Sequence, residues 1–120
     1  MKNNLRNMGN YYENLAVEYL KNNNYQIIQQ NYQFKTIDFY RPLELDIIAF
    51  KDNILYFFEV KYRSNKNNIN NFFPSSQKKI QNIEECGENF LYHYGQWRNY
   101  HINISWIIVH NNQFSILNLY

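Results

Sequence analysis

Asp46, followed thirteen residues later by Glu59-Val60-Lys61 on a run of β-forming residues, is the pattern in this chain with the clearest chemical meaning. Two acids and a lysine in the order acid, acid-x-lysine are what metal-dependent nucleases use. Asp46 and Glu59 would hold a hard cation, magnesium or manganese, which prefers oxygen ligands and keeps several waters. Such a cation lowers the pKa of a bound water and neutralises charge developing on a phosphate, while Lys61 orients the water or stabilises the transition state. By spacing alone the same residues also read as a Glu59–Lys61 surface ion pair with Asp46 a turn-proximal acid, because a short acid-x-lysine pattern is common.

Strand geometry decides whether these groups can meet. Side chains alternate faces along a strand, so Glu59 and Lys61 share one side and Val60 takes the other. Upstream, Glu44 to Phe50 reads as a strand, Lys51-Asp52-Asn53 as a turn, and Ile54 to Phe58 as the start of the next strand. Antiparallel pairing of the two lays the start of the first beside the end of the second, which brings Asp46 to Glu59 and Lys61. Three charges at one end of an apolar hairpin are costly unless solvated, paired or bound to a metal.

The surrounding residues carry a resemblance. Gly9-Asn10-Tyr11-Tyr12-Glu13-Asn14-Leu15-Ala16, Tyr25-Gln26-Ile27-Ile28, Asn31-Tyr32, Glu44-Leu45-Asp46-Ile47-Ile48 and Phe58-Glu59-Val60-Lys61-Tyr62-Arg63 follow one another in the order and spacing of a known pattern. In these motifs the chain resembles the YraN-like family, small bacterial proteins of unestablished function that are similar in fold to restriction endonucleases and archaeal Holliday-junction resolvases. The resemblance implies that Asp46 and Glu59 are metal ligands, Lys61 the catalytic lysine and Glu13 an accessory acid. Leu43 and Asn24 stand where the family usually has glycine, and Ser76 and Lys79 fit its Thr-x2-Lys start to the second helix, with Ile80 in place of glutamine.

At 120 residues the chain fits one domain, 1–120, long enough to bury about two-thirds of the surface its unfolded form exposes. The amino terminus lacks a signal-peptide pattern and no apolar run approaches the roughly 20 residues of a membrane span, so a soluble cytoplasmic protein is expected. The lone Cys86 excludes an internal disulfide and reads as a small helix residue near the core. A net charge of +2 says little about partners, but its distribution says more. Lys61, Arg63, Lys66, Lys78 and Lys79 gather with no acid between Glu59 and Glu84. A basic rim beside an acidic pocket suits a phosphodiester, with Arg63, Lys66 and Lys78 as nucleic-acid contacts; ordinary solvated lysines are the plainer alternative.

Asn10 to about Asn22 is expected to be helical, with Tyr12, Leu15, Ala16, Tyr19 and Leu20 as its apolar stripe and Glu13 at the edge. Tyr25 to Phe34 reads as the first strand, Lys35 to Pro42 as a loop, and Asn65 to Asn71 as a second, asparagine-rich loop. Ser75-Ser76 offers a cap for a helix carrying Ile80, Ile83, Gly87, Phe90 and Leu91. Its first turn holds Gln77, Lys78 and Lys79, of which Gln77 and Lys79 are candidate accessory groups; which of the three faces the pocket is open. Ile102 to Val109 and Phe114 to Leu119 form a closing hairpin, and His93, His101 and His110 share no ligand spacing. Tyr62, Phe72, Phe73 and Trp97 could stack on unpaired bases or serve in packing. The element order implies an α/β sandwich, a mixed sheet of about five strands flanked by helices; the resemblance implies that it is restriction-endonuclease-like, and DNA and a second copy of the chain, in a homodimer, are the candidate partners.

Overall fold

The computed structural model describes residues 2–35, 42–63 and 76–119, with side chains from Asn10 onward in the first helix and from Gln77 in the second. The elements run α1 (Lys2–Asn22), β1 (Gln26–Phe34), β2 (Leu43–Lys51), β3 (Ile54–Tyr62), α2 (Ser76–His93), a 3-10 turn (Gly95–Asn99), β4 (His101–His110) and β5 (Gln113–Asn118). This is the order expected from the sequence, and the sheet keeps it: β1-β2-β3-β4-β5. Consecutive strands are antiparallel except β3 and β4, which are parallel because the chain crosses back through α2 between them. The result is an α/β sandwich with a mixed five-stranded sheet and a helix on each face.

Each helix covers its own core. Ile83, Cys86, Phe90 and Leu91 of α2 pack on Leu45, Ile48, Leu55, Phe57 and Ile104. Ala16, Val17 and Leu20 of α1 pack on Ile47, Ala49, Phe58, Ile107 and Val109. Burying one such large side chain contributes about 1.5–3 kcal/mol. Gly87 lets α2 approach the sheet, since a Cβ there would sit 2.3 Å from the Phe57 ring. Beside it, Cys86 is fully buried, and burial pushes its thiol up to about 12.

The buried face of α1 is turned from the expected stripe. Among its described side chains, Glu13, Ala16, Val17 and Leu20 are buried, at helical i, i+3, i+4, i+7 spacing, while Tyr12, Leu15 and Tyr19 flank them half-buried. Tyrosines rim an apolar face with their hydroxyls toward water, so counting them as its centre misplaces the axis. Glu13 is therefore central to the face rather than at its edge. The helix also begins earlier than expected, at Lys2.

Asparagine does much of the turning that glycine usually does. The described non-glycine residues with positive φ are Asn24, Asn31, Asp52, Asn53, Asn111 and Asn112. Asn and Asp tolerate the left-handed region because their short polar side chains can hydrogen-bond locally. Asp52-Asn53 and Asn111-Asn112, with both central φ values positive, are the two-residue turns whose twist suits a tight hairpin. Asn24, at φ 69°, ends α1, and Tyr25 N–H returns to the Leu20 carbonyl at 2.9 Å.

No described helix is long and apolar enough to cross a membrane. Most of the Lys35–Pro42 loop, the Asn65–Asn71 loop with Lys66, and Phe72, Phe73 and Ser75 lie outside the described residues.

Candidate active site

The hairpin β2–β3 pairs from Lys51↔Ile54 to Ile47↔Phe58. Beyond that point each strand keeps a different neighbour: Leu43, Glu44 and Leu45 pair with β1, and Glu59 to Tyr62 pair with β4. Asp46 and Glu59 are the next residue on each strand, so they stand on the two prongs of a fork. The Asp46 carboxylate spans it, accepting a hydrogen bond from the Val60 N–H at 2.9 Å.

The fork is also where β2 loses its alternation. Leu45 packs in the α2 core and Ile47 in the α1 core, although strand residues two apart should share a face. Across on β1, the pairs Gln30↔Ile47 and Tyr32↔Leu45 leave Asn31 opposite Asp46, and Asn31 has φ 54°. Its side chain lies close enough to Glu13 of α1 to favour that acid's charged form. A left-handed asparagine thus sets the irregularity that carries Asp46 and steadies the acid behind it.

Burial and like charge load this corner. Asp46 is pushed up to about 8, first by burial and then by Glu59, with smaller contributions from Glu13 and Glu44; the Val60 N–H opposes the rise. Glu13 is pushed up to about 7 by burial, then by Glu44 and Glu59, with Asn31 opposing. Glu59, 7% exposed, is neutralised by lysines from two elements. Lys79 Nζ lies 3.1 Å and Lys61 Nζ 3.7 Å from its Oε2. Lys61 Nζ also sits 5.4 Å from the ring centre of Trp106, the register partner of Glu59 on β4. Trp106 Nε1 is buried with no hydrogen-bond partner among the described residues.

The structure brings Asp46, Glu59, Lys61, Glu13 and Lys79 to one place. It resolves the first turn of α2 in favour of Lys79: Gln77 and Lys78 are exposed, and among the described residues only Lys79 of the three contacts Glu59. Arg63 follows the end of β3, where its N–H donates to the Val109 carbonyl at 2.9 Å and its carbonyl accepts from His110 Nδ1 at 2.8 Å. That bond makes His110 a clamp on the strand end rather than a free surface residue. Sequence reasoning did not assign Asn31, Glu44 or Trp106 to the site. Glu44 and Asn31 stood within the motifs that carried the resemblance, whereas Trp106 had no local signal.

The donor set suits a hard divalent cation. Asp46 and Glu59 offer oxygen ligands from adjoining prongs, and the upward shift of Asp46 shows that its charged form is disfavoured there, a cost that a cation would relieve. Among the described residues no group of three or more His, Cys, Asp or Glu side chains is placed to hold a metal. Waters would therefore complete the shell, as they commonly do for magnesium.

Residues 12–116 match the uncharacterised protein family UPF0102, a span that takes in the fork, β1 to β4 and most of β5. The chain belongs to the UPF0102 family. A UPF0102 protein of Natranaerobius thermophilus is 33% identical over 91% of this chain and 87% of its own length. Another, from Carboxydothermus hydrogenoformans, is 35% identical over 75% of each chain, and one from Acetivibrio thermocellus is 39% identical over 75% of this chain and 65% of its own. Membership bears out the YraN-like resemblance, and the UPF0102 match covers the candidate residues Glu13, Asp46, Glu59, Lys61, Arg63 and Gln77 to Lys79 as well as Lys66.

Proposed function

We propose that this protein is a metal-dependent phosphodiester hydrolase acting on DNA, with branched or processed DNA as its substrate class. The observation that carries the reading is the fork: Asp46 and Glu59 on separating strands, with Lys61 and Lys79 on the Glu59 carboxylate. Magnesium or manganese bound there would supply an activated water and offset charge on the phosphate. Asp46 and Glu59 would hold it. Lys61 and Lys79, each about one-third exposed or more at 34% and 39%, would turn from Glu59 to a phosphate oxygen once a cation neutralises that carboxylate. Glu13 would hold or release a proton behind Asp46, since its raised pKa of about 7 leaves both states accessible near neutrality. Arg63, Lys66 and Lys78 would contact the backbone of the nucleic acid.

Grooves elsewhere suit a phosphodiester less well. Two, of about 560 and 390 Å³, flank Glu84 and Glu88 of α2, and their acidic walls would repel it.

A second reading, a nucleic-acid-binding protein without efficient cleavage, draws on one observation. Both lysines already neutralise Glu59, an arrangement that can stand without a cation.

The test is cleavage of labelled single-stranded, duplex, flap and four-way-junction DNAs with magnesium or manganese. The native chain should cut at least one of them, Asp46→Asn should fall to background, and Lys61→Ala should slow cleavage by about 10²–10³-fold. Structure-selective, salt-dependent binding with no cutting by the native chain would support the second reading; cutting unchanged in both variants would sink the assignment of the site.

A further inference from the structure

Beside the fork, three tyrosines form an arrangement that neither the core nor the charge cluster explains. Tyr12 and Tyr62 stack face to face, centroids 3.8 Å apart and planes 16° from parallel. Tyr11 meets Tyr12 edge-on at 5.1 Å. Most other described ring pairs include a residue in or against the cores, as with Trp97, which packs against Phe50 and Tyr100. Here the rings face solvent: Tyr62 is 40% and Tyr11 56% exposed.

Sequence links this platform to the charges. Tyr62 follows Lys61, and Tyr12 precedes Glu13. Because neighbours on a strand point to opposite faces, Lys61 lies on the α2 side and Tyr62 on the α1 side of the end of β3. A nucleotide strand passing over that end would meet a cation with its phosphate and a ring with its base. The ring is already fixed by stacking on Tyr12, so little ordering entropy is lost when a base joins it.

Resting on the hydrolase reading above, we infer that Tyr62, braced by Tyr12, is a stacking platform for an unpaired nucleobase next to the phosphate held at the fork. The substrate is then a nucleic acid with a single-stranded segment or end, and a fully paired duplex cannot use the platform. Base–aromatic stacking tolerates any base, so the platform selects structure rather than sequence.

The experiment uses the full chain with calcium to neutralise the carboxylates, a single-stranded 15-mer carrying 2-aminopurine, and a blunt duplex of the same sequence. The native protein should quench the 2-aminopurine. Tyr62→Leu should lose the quench and about tenfold of single-strand affinity, with duplex affinity unchanged. Tyr62→Phe and Tyr62→Trp, which keep a ring, should retain both, and melting curves identify any variant that fails to fold. Equal losses on strand and duplex, or full quenching by Tyr62→Leu, would overturn the platform while leaving the hydrolase reading in place. A native chain that binds neither DNA would overturn both.

Discussion

At its turn end the β2–β3 hairpin pairs residue for residue and buries Ala49, Leu55 and Phe57 almost completely, whereas at its other end the same two strands take different partners, bury the Glu59 carboxylate and half-bury that of Asp46. The turn end gains from every atom removed from water. The fork loses: Asp46 and Glu13 are held where their charged forms are disfavoured, and lysines from β3 and α2 are needed to neutralise Glu59. One pair of strands thus holds both a source of stability and a local cost, a division expected where a fold carries a charged site.

Substitutions at the two ends should therefore have opposite signs. The largest effect belongs to Leu55→Ala, which should destabilise by about 2–5 kcal/mol in guanidinium unfolding. A loss below about 1 kcal/mol would mean that the turn end is not the anchor described.

The fork should respond to pH in the other direction. Asp46 rises from 3.8 to about 8 on folding and Glu13 from 4.5 to about 7, so the folded state binds more protons between those values. Their contribution is favourable below about pH 4 and is lost as pH climbs toward 8. Metal-free protein should thus be more stable at pH 5 than at pH 8, and Asp46→Asn, which keeps an acceptor for Val60 N–H, should recover on the order of a few kcal/mol at pH 8. Saturating magnesium should do the same for the native chain. Urea melts at the two pH values check this; a variant no more stable than the native chain at pH 8 would break the contrast.

Gly87→Ala probes the turn-end core from the helix side. The added methyl meets the Phe57 ring, and a cost of about 1–3 kcal/mol is expected in the same melts. Smallest is Asn53→Gly in the turn itself, where φ is 65°: the conformation is already tolerated, and stability should change by less than about 0.5 kcal/mol.

The hairpin and its three charged residues were legible in the sequence because strand periodicity and a tight turn fix register locally. The contribution of α2 was not. Choosing Lys79 over Gln77 and Lys78 depends on how far α2 slides along β3, and that is set by Gly87 against Phe57 and Phe90 against Tyr32, contacts distant in sequence. Glu13 was found, but the tyrosines beside it blurred which way the helix faced. Asn31 stood within the resemblance, but nothing local marked its left-handed kink in a chain rich in asparagine, and Trp106 became relevant only once β4 lay parallel to β3 in register with Glu59.

Cys86 gives the molecule a built-in clock. It is the chain's one thiol, sealed beneath α2 with its ionisation pushed up to about 12, so in the closed protein it neither ionises nor meets solvent. A thiol reagent added in excess would modify the chain only as often as α2 lifts from the sheet, and the labelling rate would count those openings one molecule at a time.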